Sequence, residues 1–114
     1  MRAPGSDTDL NPAQRVVITG LGVLSSIGVG AAEYLAGLRA GRCDARPITK
    51  FDTTGFAHVN GCEVLDFEPE RWIRAAPAGE LGPAAKLSAA AAAMAVADAG
   101  LDSERLRDQR GLVC

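Results

Sequence analysis

The apolar and polar positions of this chain change their spacing several times, and each change marks an expected element. Residues 15–19 read RVVIT, a β-branched run with no polar residue inside it. That is the mark of a strand buried on both faces. The stretch TGLGVLSSIG, residues 19–28, then breaks the run with three glycines. A helix is expected from about residue 29 to residue 39, with Tyr34, Leu35 and Leu38 on its apolar face and Gly41 as its stop.

Residues 42–67 lose this regularity, broken by Pro47 and Gly55, and predict one short strand near residues 58–64. Glu68-Pro69-Glu70 is a helix start, because proline suits the first helical position and acids suit the positive end of the helix dipole. RWIRAA continues that helix for a turn or two, and PAGELGP breaks it. A second long helix is expected from about residue 84 to residue 99, rich in the best helix former and stopped by Gly100. Leu87 and Met94 recur along it at seven-residue spacing while alanine fills the other faces. Neighbours can approach such a helix closely from several sides, which suits a place between layers. Asp102 and Ser103 can cap a short helix over residues 104–109, and GLVC at 111–114 begins another buried strand. Strand, helix, irregular insert, helix, strand is an α/β order. Residues 15–114 are thus expected to form one segment, cut off at its second core strand.

Composition narrows the picture. The apolar fraction is 47 %, yet alanine supplies much of it and only five aromatics occur: Tyr34, Phe51, Phe56, Phe67 and Trp72. Alanine buries little area, so a core built this way is thin and relies on further protein. A net charge of −2 with scattered ions forms no polybasic patch and speaks against nucleic acid or an anionic membrane surface as partner. The longest apolar run, residues 89–97, is too short to cross a bilayer. Residues 1–14 lack the basic start and apolar middle of a secretion signal and read as a disordered leader, so a cytoplasmic location is expected.

Cys43, Cys62 and Cys114 stand far apart, and the single histidine, His58, lies four residues before Cys62. A zinc site needs about four ligands, and HVNGC supplies two, so no metal site is assigned. On a strand those two side chains point the same way without touching, which leaves a packed thiol and a surface imidazole rather than a nucleophile pair.

Nor does the glycine turn fit a nucleotide. The dinucleotide fingerprint needs a third glycine where Ser25 stands, and here the helix is delayed past Gly28. No Gly-Lys-Ser/Thr occurs for a phosphate loop. Instead, RVVITGLGVLSSIGVGAAEYLAGLRAGR, RPITKFDTTGF, DFEPERW and AVADAGLD, in this order, resemble the amino-terminal region of the β-ketoacyl-carrier-protein synthases. These are the condensing enzymes of fatty-acid and type II polyketide synthesis. The resemblance runs from about Arg15 to the last residue, with Ser26 where the family often has proline.

The resemblance implies the amino-terminal part of a thiolase-like layered αβαβα fold, incomplete in this chain. It implies that Gly20 and Gly22 ease a tight passage of backbone rather than cradle a phosphate, so no cofactor is expected. The family's nucleophilic cysteine and two catalytic histidines lie downstream of the matched region. None of Cys43, Cys62, Cys114 or His58 corresponds to them, so no catalytic residue is assigned. An acyl carrier protein and a homodimeric or heterodimeric ketosynthase-like subunit are the implied partners. Where the family often carries a basic cluster for the carrier, this chain has AAPAGELGPAAK, with only Arg71, Arg74 and Lys86 nearby. These three are the candidate carrier contacts. A non-catalytic chain-length-factor-type subunit is the alternative, and an independent nucleotide-dependent module is a third.

Overall fold

A computed structural model of the chain describes residues 16–74, 77–102 and 106. Its elements run β1 (Leu24–Ser25), β2 (Gly28–Val29), α1 (Ala31–Arg39), β3 (Arg46–Pro47), β4 (Asn60–Gly61) and α2 (Pro83–Asp98). Single 3-10 turns at Pro69–Arg71 and Ala78–Glu80 precede α2.

Both helices form where alanine and leucine recur, and both end at the glycine expected to stop them. Gly41 and Gly100 take positive φ, 62° and 64°. In each case the glycine amide and the next amide fold back onto carbonyls of the last turn. Gly41 bonds Leu38 and Arg42 bonds Gly37, while Gly100 bonds Ala97 and Leu101 bonds Val96. This paired closure satisfies carbonyls that would otherwise lack donors. Proline opens α2, where its missing amide costs nothing.

The strands differ from expectation. β1 and β2 form an antiparallel hairpin inside the glycine-rich stretch, with Leu24 opposite Val29 and Ser25 opposite Gly28. Its two-residue turn, Ser26-Ile27, lacks the Asn-Gly signature that makes a hairpin visible in a sequence. The hairpin consumes Val29, so α1 starts at Ala31 rather than 29. β3 and β4 pair antiparallel, and the strand expected over 58–64 is confined to Asn60–Gly61. The helix expected from Glu68 is the 3-10 turn Pro69–Arg71 alone.

The first buried strand is not formed. Residues 16–19 carry no regular structure, and Val16, Val17 and Ile18 are 98 %, 69 % and 82 % exposed. A strand buried on both faces needs neighbours on both edges and layers above and below, and the described residues supply neither. The second strand, residues 111–114, and most of the short helix at 104–109 lie outside the described residues. Leu106 is helical, and its amide donates to the Asp102 carbonyl.

α1 is also covered differently. Leu35 and Leu38, expected on its buried face, are 45 % and 51 % exposed. The helix is buried instead at Gly37, where a Cβ would lie 2.6 Å from the Ile27 carbonyl oxygen. Among the described residues the buried apolar side chains are Ala78, Ala90 and Met94. That is the thin core which the alanine-rich composition implies.

Candidate functional site

The glycine turn and α2 meet backbone to backbone. A Cβ placed on Gly20 would stand 2.6 Å from the Ala99 amide nitrogen. One on Gly22 would stand 2.8 Å from the Ala95 amide and closer still to the Ala91 carbonyl oxygen. Real Cβ atoms do not approach backbone this closely, so only glycine fits at either position. The other half of this seam is the backbone of Ala91 and Ala95 in α2 and of Ala99 at its end, with the Ala99 Cβ also against Gly20. Asp98 fastens it: its carboxylate accepts from the Leu21 amide at 2.9 Å.

The start of α1 carries its own anion. Glu33 Oε2 accepts from the Val29 amide at 3.0 Å, placing a carboxylate at the positive end of the helix. A dinucleotide phosphate would have to displace it. The α2 backbone fills the space beside Gly20 and Gly22, and the Glu33 carboxylate takes the Val29 amide ahead of α1.

The expected histidine and thiol positions come out mixed. His58 is exposed, as is Cys43. Cys62, just past β4, is an exposed free thiol and not a packed one. Cys114 lies outside the described residues.

The three candidate carrier contacts are not brought together. Arg71 lines a groove of ≈ 420 Å³ whose wall mixes Arg42 and Arg46 with Asp44 and Asp66. Its guanidinium also stands 3.9 Å from Glu68, a pair too exposed to hold either partner firmly. Lys86, in the first turns of α2, lines a different groove of ≈ 320 Å³ with Lys50, Leu65, Phe67 and Pro69. Arg74 is exposed and lines neither. Lys50 is the cation that sequence reasoning passed over. Its ammonium donates to the Val64 carbonyl at 3.3 Å, and only the folding of the insert sets it beside Lys86.

Glu63 is the buried carboxylate of the described residues, 9 % exposed. It accepts from the Thr49 amide at 3.0 Å, the Thr49 hydroxyl at 2.9 Å and the Lys50 amide at 3.1 Å. The Thr49 amide bond chiefly holds its carboxyl below the ordinary value of 4.5, with partial burial opposing and the Thr49 hydroxyl, Lys50 amide and Lys50 charge assisting. A depressed folded value means that the unfolded chain binds the proton more readily. The stabilisation by Glu63 is therefore full above pH 4.5 and is lost as pH falls through the lower folded value. The Thr49 amide resonance is expected to titrate below pH 4.5, and Glu63→Gln is expected to abolish that inflection. An inflection at or above the ordinary value would contradict the assignment.

Residues 13–114 match the family described as Beta-ketoacyl synthase, N-terminal domain. The chain belongs to the β-ketoacyl synthase family. Its fold superposes on a chain of a solved structure titled "The ishigamide ketosynthase/chain length factor" with a TM-score of 0.71 and 59 % identity, covering 77 % of this chain and 22 % of that one. It is 35 % identical over 97 residues to the tetracenomycin polyketide synthase ketoacyl synthase beta subunit of Streptomyces glaucescens, covering 85 % of this chain and 24 % of that protein. It is also 45 % identical over 56 residues to 3-oxoacyl-[acyl-carrier-protein] synthase 2 of Coxiella burnetii, covering 49 % and 14 %. The chain therefore spans a quarter or less of the length of these family members. The described part has the fold of the corresponding part of a ketosynthase/chain length factor. No helix among the described residues is long and apolar enough to cross a membrane.

Proposed function

We propose that this chain is the amino-terminal portion of a β-ketoacyl-[acyl-carrier-protein] synthase subunit with the layered thiolase-like fold. The complete protein joins an acyl thioester to malonyl-carrier protein by decarboxylative Claisen condensation, working in the cytoplasm as a dimer of ketosynthase-like subunits. The carrying observation is the seam of Gly20 and Gly22 on the alanines of α2, together with the family match over residues 13–114. In this reading residues 15–114 serve as scaffold. A low-pKa thiolate and an oxyanion hole of backbone amides do the chemistry, supplied by the remainder of the synthase.

The surface around α2 supports a second, non-catalytic reading. Residues 77–85 carry one charge, that of Glu80, where a carrier-receiving face would be basic. A chain-length-factor-type subunit is never acylated and needs that face less. The similarity to a polyketide synthase beta subunit fits the same reading. Any carrier contact would fall to Arg71, Arg74 and Lys86, with Lys50 added by its place beside Lys86.

The isolated chain, incubated with malonyl-carrier protein, is expected to release no carbon dioxide. Release above the protein-free control would overturn the scaffold role. Sequencing the gene past codon 114 separates the two subunit types. Cysteine at the family's nucleophile position supports the catalytic subunit, and any other residue there supports the partner.

A further inference from the structure

Cys43 and Cys62 stand on the two legs of one ribbon, and neither takes part in the proposed condensation. β3 and β4 pair Arg46 with Gly61 and Pro47 with Asn60, and the Ile48 amide donates to the Val59 carbonyl at 2.9 Å. Carrying that register outward sets Ala45 opposite Cys62 and Asp44 opposite Glu63. Side chains alternate along extended legs. The groove of ≈ 420 Å³ takes Arg42, Asp44 and Arg46 from the first leg and Glu63 from the start of the second, and it passes over Cys43, Ala45 and Cys62. The two thiols therefore share the face turned away from the groove, and both are exposed and free. On that face Cys43 lies one diagonal step from Cys62. Diagonal neighbours stand about 7–8 Å apart, with their Cβ atoms somewhat closer. A disulfide spans Cα separations of about 4.4–6.8 Å, so closing one here asks for a shift of about 1 Å. The paired register ends at Arg46 and Gly61, and residues 42–45 and 62–65 carry no regular structure, so the legs can take up that shift.

We propose that Cys43 and Cys62 are a redox-responsive pair that closes an intrachain disulfide across the base of the 44–61 segment. The oxidant is a small disulfide such as oxidised glutathione, which reaches both thiols because both are exposed. One thiolate attacks it to form a mixed disulfide and releases one reduced glutathione. The second thiolate then displaces the other, so the Sγ–Sγ bond forms as the glutathione disulfide breaks. The pair loses two electrons, and its two protons end on the two glutathione thiols. Excess reduced glutathione runs the exchange backwards. In the reduced chain the base of this segment is held by hydrogen bonds alone, from the Thr49 and Lys50 amides to Glu63 and from the Ile48 amide to the Val59 carbonyl. The disulfide adds a covalent tie that restricts how far this base opens.

The test uses the chain carrying Cys114→Ser, so that the third cysteine does not compete, and exposes it at low concentration to oxidised glutathione. Peptide mapping is expected to find a monomer in which Cys43 is joined to Cys62, lighter than the reduced chain by two hydrogen atoms. Exchange of the Thr49 and Lys50 amides is expected to slow by roughly tenfold or more in that species, and to recover when reduced glutathione is added. With Cys62→Ser added, the same oxidation is expected to leave that exchange unchanged. Two thiols that persist, glutathione that stays on either cysteine, or a dimer linked between chains overturns the inference. A Cys43–Cys62 bond that forms without slowing the Thr49 and Lys50 amides overturns it as well, because the tie then does not hold the base of the segment.

Discussion

Replacing Gly22 with valine is expected to separate residues 20–22 from α2. The added Cβ alone would stand 2.8 Å from the Ala95 amide nitrogen, and the Ala91 carbonyl is nearer still. Neither neighbour is the movable end of a side chain, because both are backbone atoms within a continuous helix. The strain cannot be relieved by a rotamer change, so the segment must lift. Lifting also breaks the bond from the Leu21 amide to Asp98. Overpacking of this kind costs about 1–3 kcal/mol, which corresponds to about five- to 150-fold faster exchange of the Leu21 amide. Asp98→Ala removes the same bond without the clash and is expected to produce a smaller acceleration. Unchanged exchange in Gly22→Val would show that the close approach does not hold this segment in place.

Met94→Ala is expected to do comparable damage by the opposite route. Met94 is 4 % exposed, and the other buried apolar side chains among the described residues are the alanines at 78 and 90. It is therefore the one large side chain in that core. Truncating a buried methionine costs about 2–5 kcal/mol, and the low end applies here because a groove already opens beside it. Trp72 lines that same groove and is the single tryptophan of the chain, so it reports the change directly. A red shift of its emission on Met94→Ala is the expected result. An unshifted spectrum with unchanged stability would show that α2 is not held through Met94.

The two variants meet in one feature, the dependence of this chain on a helix rich in alanine. An alanine helix forms readily, since its residues lose no side-chain entropy, but it anchors weakly, since each buries little area. The glycine pair offsets this by bringing backbone against backbone, where many small contacts and one carboxylate bond replace interlocking side chains. Such a seam orders the segment but adds little apolar burial. The 114-residue chain is accordingly expected to melt broadly rather than in one sharp cooperative step.

The sequence by itself determined what depends on neighbours along the chain. The stops at Gly41 and Gly100 and the approximate extent of α1 and α2 are local matters of dihedral freedom, amide supply and helix propensity, whereas the tight passage at Gly20 and Gly22 was implied by the family resemblance and is made against α2, far along the chain. The ordered motifs from RVVITGLG to ADAGLD were enough to place the chain in its family. What only the tertiary structure decided is which surfaces meet. It turned Leu35 and Leu38 outward and Gly37 inward, set Lys50 beside Lys86, clamped the Phe51–Phe56 loop through Glu63, and left residues 16–19 without the strand that their β-branching favours. Each of these outcomes depends on atoms distant in sequence, and apolar spacing carries no record of which distant atoms arrive. A β-branched run becomes a buried strand only when other strands and layers enclose it, and that condition is a property of the assembled fold.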